Sequence, residues 1–589
     1  MRNSIITSVV ISRRFILVFC ILALFAGGPV FAQTATSPSW DGHLVWVLPF
    51  ENNSTQPGLD WMGASFPDIM NQRLSSAGFL TIRREDRRYA LAHLGLPADF
   101  HPTQATTYKL AQTLDADYVV FGNYTVANGS ITATARVLEM HGPRMGPMVK
   151  EKGSLDQLIR IENELAWKVA MQIDPALNLD EQTFLVAGRD LRLDAFESYI
   201  RGEVEPGIDE QIGHLTKAVQ LSPNYTQAWL ALGKAYFANQ QYEQAIVPFS
   251  KVPKGSRQSL EAQFYAGLSY LYTGNYAQAQ SEFSSIATVL PMPEVLNNEG
   301  IAINRRGQNG TAFFQRVVQL DPQNPDYWFN LAVSERRRKN YAAALKAVTQ
   351  CLALRPQDEE ALGLRKNLML LKDAPATATM EQTAAIAHEA SAQSTSASDG
   401  SPDTAASSSA ATSTASSASA SASSLDYEPL ERIARAYDES SFRQAAFAME
   451  QMNAMKLRSM PATARAQVLC QQGNAYVNDG LLLEAERQFQ LALAADPQSA
   501  AAYAGLAQVH EYVGSSSVAQ QEANTSLRMQ PNVAAYLVLA RLALGQRVLP
   551  SAQENVGHAL QLDPNNSAAK GIQQAIQAQQ AIQSQKTTQ

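Results

Sequence analysis

Two arginine clusters are the residues of this sequence whose types and spacing best suit binding chemistry. They lie at residues 83–88 (RREDRR) and 335–340 (ERRRKN). A guanidinium group carries a planar set of donors that fits a carboxylate or a phosphate, although a charge run most often faces water. The eight histidines are scattered without metal-ligand spacing, and no phosphate-binding glycine loop occurs. We therefore expect no enzyme activity, no cofactor and no metal.

A helical repeat supplies the elements that must position these side chains. The stretch WLALGKAYFANQQYEQAIVPF spans residues 229–249, and its glycine, Gly233, recurs 34 residues later as Gly267. Tyr236 and Tyr270 are separated by the same interval. A period of this length indicates a solenoid built from stacked repeats.

The repeat carries a recognisable residue pattern. The matching positions are Trp229, Leu232, Gly233, Tyr236, Ala245 and Phe249. They follow W-x2-L-G-x2-Y…A-x3-F, so the chain resembles the tetratricopeptide repeat family. Further copies follow around Gly267, Gly300 and Trp328, and again around Gly473, Tyr503 and Tyr536. The resemblance implies antiparallel helix pairs stacked into two superhelical arrays.

Gly233 lies within a helix, where glycine costs roughly 1 kcal/mol relative to alanine. We interpret it as a point where the two helices of one repeat touch. On that interpretation Gly233→Ala is tolerated, whereas Gly233→Leu overpacks the contact.

The resemblance also implies a concave groove lined by the first helix of each repeat. Its candidate positions in the first array are Leu230, Lys234, Phe237, Phe264, Leu268, Tyr272, Asn297, Arg305, Phe329, Arg336 and Arg337. This surface suits an extended or helical peptide with apolar anchors and a negative group. Alternatively, the aromatic side chains pack between repeats. The second array has a smaller groove that includes Cys470, the better candidate for a reactive thiol, whereas Cys351 is expected in a core.

The residues before the repeats alternate between strand-like and helical patterns. An early VWVLPFENNS, a later LDADYVVFGNYTVANGSITATARVLEM and a final helix resemble the TolB amino-terminal domain over about residues 44–173. Asn128-Gly129 within the second stretch predicts a tight turn between two strands. The resemblance implies a small α/β domain that makes protein contacts and does no catalysis.

The chain begins with the features of a secretory signal. Arg2, Arg13 and Arg14 precede or open an apolar run, and Val30-Phe31-Ala32 offers a cleavage site before Gln33. A retained membrane anchor is the alternative, but Gly27-Gly28-Pro29 interrupts the run early. We expect cleavage and a periplasmic or secreted protein without an integral membrane span.

These patterns predict a multi-domain chain, a small α/β domain followed by two all-α tetratricopeptide superhelical arrays. The expected parts are a signal peptide (1–32), a TolB-like domain (41–175), a first array (190–372), an Ala/Ser-rich disordered linker (373–425) and a second array with a cap helix (426–589). The net charge of −7 argues against nucleic acid as a partner. We expect an exported non-enzymatic scaffold that binds proteins or peptides, including envelope components, in the bacterial cell envelope. The alternative is a sensor or regulatory ectodomain of an envelope signalling system.

Overall fold

The computed structural model describes residues 43–82, 104–186, 191–254, 258–373, 429–436 and 455–587, with positions 84, 86, 87, 91 and 95. The expected signal peptide lies outside the described residues, as does the expected linker beyond Asp373. The described chain is mostly helical, with a small mixed sheet near its N-terminus.

The sheet contains seven strands in the described residues. They are β1 (Leu44–Val47), β2 (Glu51–Asn52), β3 (Leu80–Thr81), β4 (Tyr118–Ala127), β5 (Ser130–Glu139), β6 (Arg144–Met145) and β7 (Val149–Ser154). β1 is parallel to both β3 and β4, whereas β5 is antiparallel to β4, β6 and β7. The predicted Asn128-Gly129 turn is confirmed, because both residues have positive φ (51° and 72°) and connect β4 to β5.

Four α-helices whose bounds fall within the described residues accompany the sheet. They are α1 (Trp61–Ala77), α2 (Gln104–Thr113), α3 (Leu158–Ile173) and α4 (Glu181–Val186). The apolar spacing along α1 buries Met62, Phe66 and Leu74 completely. Phe66 stacks on Phe50 at 4.2 Å between ring centroids and lies 5.7 Å from the ring of Tyr124 on β4. The strand-like and helical stretches that the sequence predicts before the repeats thus form a small mixed sheet with helices.

The N-terminal array consists of eleven helices within residues 193–373. They are α5 (Leu193–Val204), α6 (Ile208–Leu221), α7 (Thr226–Ala238), α8 (Tyr242–Ser250), α9 (Ser259–Tyr272), α10 (Tyr276–Val289), α11 (Pro293–Arg305), α12 (Thr311–Leu320), α13 (Pro325–Arg337), α14 (Tyr341–Leu354) and α15 (Glu359–Asp373). The C-terminal array consists of α16 (Ala462–Asn478), α17 (Leu482–Ala495), α18 (Ala500–Val513), α19 (Ser516–Met529), α20 (Val533–Gly545), α21 (Leu549–Leu562) and α22 (Ser567–Thr587). Successive helices of each array pack in pairs.

The repeated glycines lie opposite repeated phenylalanines. A Cβ atom added at Gly233 would lie 2.5 Å from the ring of Phe249, and one added at Gly267 would lie 2.8 Å from Phe283. The expected close contact is therefore present, but its partner is an aromatic ring edge. This corrects the expectation that Gly233→Ala is tolerated, because even a methyl group needs space that the buried ring occupies.

Both arrays contact the part of the chain formed by the sheet and helices α1 to α4, which we call the sheet layer. Tyr199 of α5 donates a hydrogen bond to Asp68 of α1 at 3.1 Å, and Phe196 meets Trp61 edge to face. In the C-terminal array, Leu483 of α17 is buried in the same core. No local sequence pattern indicates this second contact, because its residues are more than 300 positions apart in the chain.

Residues 429–436, which the sequence analysis assigns to the second array, form neither helix nor strand. They lie against α9, α11, α13 and α15 of the N-terminal array. We call residues 429–436 the bound segment and the surface that they occupy the groove. Across the parts of the chain that the structure describes, no helix has the length and apolar character needed to cross a membrane.

Candidate peptide-binding groove

The groove contacts the backbone of the bound segment through buried asparagines. Asn330 donates to the carbonyl of Arg432 at 2.8 Å and accepts from its N–H at 2.7 Å. Asn298 makes the same pair of hydrogen bonds to Ala434, at 2.9 and 3.0 Å. Each side-chain amide thus satisfies both backbone groups of one residue, as a neighbouring strand would.

The two clamped residues are two positions apart. Because both polar groups of Arg432 and Ala434 point to one side, the bound segment is extended between them. Asn297 adds a hydrogen bond to the Arg432 carbonyl at 3.1 Å and orients Asn330 through a bond of 2.8 Å. Since backbone atoms are alike in every sequence, these contacts hold an extended chain without selecting its side chains.

Glu431 occupies a cationic pocket between α11 and α13. Its side chain has no exposed surface and lies 2.5 Å from Arg337 Nη1 and 3.6 Å from Arg305 Nε. Asn304 donates to the same carboxylate at 3.1 Å. A buried carboxylate requires such partners, because an unpaired buried charge is strongly destabilising. This pocket is therefore built for an acidic side chain.

Arg432 occupies an acidic pocket beside the cationic one. Its guanidinium makes two hydrogen bonds of 2.7 Å to Asp358 and reaches Asp326 and Glu360, each at 2.8 Å. The same group lies over the ring of Phe329, with 3.8 Å between Cζ and the ring centroid. A planar, delocalised cation is needed for this combination of bidentate pairing and stacking, so lysine would not replace it.

The contacts in the acidic pocket lower the pKa of Asp358 and raise the pKa of Arg432, as pairing of the two charged groups requires. Hydrogen bonding from Arg432 holds the pKa of Asp358 at about 2. Burial alone would lower the pKa of Arg432, but its hydrogen bonds to Asp358, Glu360 and Asp326 raise it overall. Both groups are therefore charged at neutral pH.

The remaining side chains of the bound segment contribute unequally. Ile433 packs against the apolar core of the N-terminal array. Arg435 lies over the ring of Tyr272 at 5.7 Å. Leu430 is 67% exposed and contributes little contact. The recognised pattern is thus acidic, arginine, aliphatic, small and basic.

Five of the predicted groove residues meet the bound segment. They are Tyr272, Asn297, Arg305, Phe329 and Arg337. All lie on the first helices of their repeats, α9, α11 and α13, as the tetratricopeptide register implies. The structure brings them together around residues 431–435.

Other predicted groove residues lie elsewhere. Phe264 and Leu268 are buried in the apolar core, which agrees with the alternative that these side chains pack between repeats. Arg336 donates to Asn367 at 2.8 Å. Phe237 packs edge to face with Tyr242 and Tyr265.

Leu230 and Lys234 line a separate cavity of about 1070 Å³. Residues of the sheet layer and of both arrays complete its walls. Lys234 is paired there with Glu261 at 2.8 Å. These two predicted groove residues therefore face the region near α1, away from the bound segment.

The main contacts that sequence reasoning missed are those of Asn298, Asn330 and the two carboxylates at the start of α15. Asn298 and Asn330 occupy the same position of successive repeats, two residues before Gly300 and Ala332. Recurrence of a polar residue beside the small one was the available signal, because asparagine is uncommon in buried helices unless it is bonded. Asp358 and Glu360 lie at the start of α15, where the sequence shows only an ordinary acidic first turn.

Both cysteines within the described residues are buried. Cys470, the better candidate for a reactive thiol, is buried, and burial raises its pKa, which opposes that role. Burial raises the pKa of Cys351 to about 11. Within the described ranges, no group of three His, Cys, Asp or Glu residues is placed to hold a metal ion.

Comparison with known proteins places the repeats in context. Residues 311–359 match the tetratricopeptide repeat model. The cell division cycle protein 16 homolog of Homo sapiens is 28% identical over 171 residues, covering 26% of this chain and 28% of that protein. The chain thus spans little more than a quarter of the length of that curated relative.

Solved structures are more distant. YrrB, described as a tetratricopeptide protein with an unusual peptide-binding site, is 16% identical, with a TM-score of 0.28, and the match covers 34% of this chain and 98% of that one. The C-terminal domain of LpoB from Salmonella enterica is 14% identical, with a TM-score of 0.17, covering 19% of this chain and 83% of that one. Residues 311–359 thus carry the sequence signature of a tetratricopeptide repeat, and the helix pairs described above continue on both sides of that stretch.

Proposed function

We propose that the chain is a non-enzymatic scaffold whose N-terminal array binds an extended segment of a partner protein. Tetratricopeptide repeats generally mediate protein–protein interaction, which supports the general class. The observation that carries the specific proposal is the bound segment itself. Backbone clamps from Asn298 and Asn330 and two charge-matched pockets already accommodate eight residues of chain.

The test uses a full-length chain whose own segment no longer fits, which we call the emptied chain. Glu431→Lys and Arg432→Glu reverse both charges, so that each pocket faces a side chain of its own sign. A fluorescently labelled peptide of sequence PLERIARA, capped at both ends, should then bind and raise the anisotropy. Addition of Asn298→Ala should weaken this binding at least tenfold, because both hydrogen bonds to one residue are lost. Absence of any binding to the emptied chain would refute the proposal.

We also infer that the scaffold acts in the bacterial cell envelope. The support is the order of basic, apolar and small residues in positions 1–32, which is typical of a cleaved signal. The β-rich stretches before the repeats further suggest a TolB-like domain devoted to protein contacts. Intact-mass measurement on the exported protein should find a chain beginning at Gln33. A chain that keeps Met1 would contradict cleavage and favour the sensor ectodomain.

A further inference from the structure

We infer that the bound segment is a tethered competitor, and that the partner must carry an extended Glu-Arg-aliphatic segment to displace it. This inference rests on the proposed function, because it concerns the regulation and the ligand of the same groove. It goes further in assigning residues 429–436 to the role of an internal occupant.

The two pockets select the order of the charged residues along the ligand as well as the sign of each charge. The carboxylate of Glu431 lies between Arg305 and Arg337, and the next side chain along the backbone, Arg432, enters the acidic pocket. A segment bound in the opposite direction would bring each charge to the wrong pocket. Like charges at contact distance repel each other across an interface and so disfavour the reversed direction. The ligand must therefore carry the acidic residue immediately before the arginine.

The two pockets also exclude partner segments that carry charges of only one sign. A phosphorylated or wholly acidic segment would fill the cationic pocket but place a further negative charge against the Asp358 and Glu360 carboxylates, which pair with the Arg432 guanidinium here. A wholly basic segment would place a positive side chain beside Arg305 and Arg337, which would repel it. The favoured partner is a segment of near-neutral charge in which the two opposite charges are adjacent and an aliphatic residue follows.

The covalent connection makes the internal copy a strong competitor. A tethered ligand competes at an effective concentration that reaches about the millimolar range. If an untethered segment binds the empty groove with a Kd of about 10 μM, the internal copy raises the apparent Kd about a hundredfold. Partners at ordinary concentrations are thus excluded unless they bind through additional surfaces or unless the segment is withdrawn.

The experiment titrates the capped PLERIARA peptide into three full-length chains. These are the unmodified chain, the emptied chain carrying Glu431→Lys and Arg432→Glu, and a control chain carrying Leu430→Ala, whose side chain is mostly exposed. The emptied chain should bind at least thirtyfold more tightly than the unmodified chain, and the control should bind like the unmodified chain. A peptide with the two charges exchanged, PLREIARA, should fail to bind the emptied chain.

The outcomes separate this inference from the proposed function. Failure of the emptied chain to bind, with its melting temperature unchanged, defeats both. Equal binding by the emptied and unmodified chains leaves the groove a peptide site but overturns the tethered competitor. Light scattering that detects a dimer of the unmodified chain, lost in the emptied chain, would show that the segment occupies a second copy and would overturn the intramolecular form.

Discussion

Arg337 and Arg338 are adjacent, yet only Arg337 is placed in the cationic pocket. Arg337 lies 2.5 Å from Glu431, whereas Arg338 is half-exposed and 3.6 Å from Glu335 of its own helix. Arg337→Ala should weaken retention of the bound segment by about 2 kcal/mol, because it removes one partner of a buried charge. Arg338→Ala should have little effect, as for most surface ion pairs.

Hydrogen exchange of the amides of Arg432 and Ala434 in the full chain measures this difference. The Arg337 variant should exchange about thirtyfold faster at these two amides, while the core amides of α12 keep their rates. Identical exchange in the two arginine variants would mean that Glu431 does not hold the segment in place.

Gly233 tests the helix contact at the scale of a single methyl group. Gly233→Ala should destabilise the protein by about 1 to 3 kcal/mol, because the added Cβ meets the buried ring of Phe249 and this overpacking exceeds the gain in helix propensity. Gly213→Ala is the matched control, since Gly213 lies inside α6 with no atom within 4 Å of its added Cβ. The control should be neutral or stabilising in thermal melts. A higher melting temperature for the Gly233 variant would show that the ring moves aside.

The sequence could predict single residues only where the repeat register fixes their direction. Arg305, Phe329 and Arg337 were predictable in this way. The same register could not separate the groove from the core at Phe264 and Leu268, because neighbouring first helices share buried side chains at those positions. The partner of Glu431 and Arg432 was not predictable, since residues 429–436 carry no periodicity and lie far along the chain.

At the scale of elements, α17 is attached to the sheet layer through a buried carboxylate. Glu486 accepts a hydrogen bond from the backbone N–H of Asp180, just before α4, at 2.7 Å. Burial raises the pKa of Glu486 to about 7, although hydrogen bonds from Asp180 and Thr183 oppose the rise. His510 of α18 is paired with Glu522 at 2.6 Å. Burial lowers the pKa of His510, but Glu522 outweighs that effect and raises it overall.

Because the folded-state pKa values of Glu486 and His510 are both raised, the packing around these two side chains is more stable in acid. For Glu486 the stabilisation is complete below its ordinary value of 4.5 and is lost as the pH rises through about 7. For His510 it is present below 6.5 and is lost as the pH rises through its raised folded value. The chain should therefore melt at a higher temperature at pH 5.5 than at pH 8.5.

Glu486→Gln should reduce this difference between the two pH values, because an amide cannot ionise. Glu554→Gln is the control, since the Glu554 side chain is 72% exposed and should leave the difference unchanged. A pH difference unaffected by Glu486→Gln would assign the effect to other groups.

Some helix starts carry local signals that can be read in the sequence. Pro293 and Pro325 begin α11 and α13, and the Asn324 side chain caps α13. Packing between elements was less predictable. The contact of α17 with α1 and α4 joins residues that no local pattern connects, so the sequence indicated two arrays but not the sheet surface that the second one meets.

For the whole molecule, the contacts predict that a cut chain stays assembled. The sequence predicts that proteases cut first between residues 373 and 424, because Ala/Ser-rich polar segments with few large apolar side chains to bury are the usual cleavage sites. After a single cut at an engineered protease site at Ser401, the two fragments should co-elute in gel filtration. The buried Leu483, the Glu486 hydrogen bond and the bound segment all connect them.

The control adds Leu483→Asp and Glu486→Lys to the same cut chain, with the bound segment reversed as in the emptied chain. Those fragments should separate. Separation of the fragments without these changes would mean that the contacts are too weak to act between chains.

The two attachments of the C-terminal half also have a mechanical consequence. A solenoid fixed at one end can stretch and unwind like a spring, because each repeat touches only its neighbours. Here the N-terminal array is fixed to α1 through α5. The helices near its other end hold the bound segment. That segment precedes the C-terminal array, whose helix α17 contacts α1 and α4. Because the bound segment contacts α9, α11, α13 and α15 together, it ties these helices to one another, and we expect the array to extend only after the segment leaves the groove.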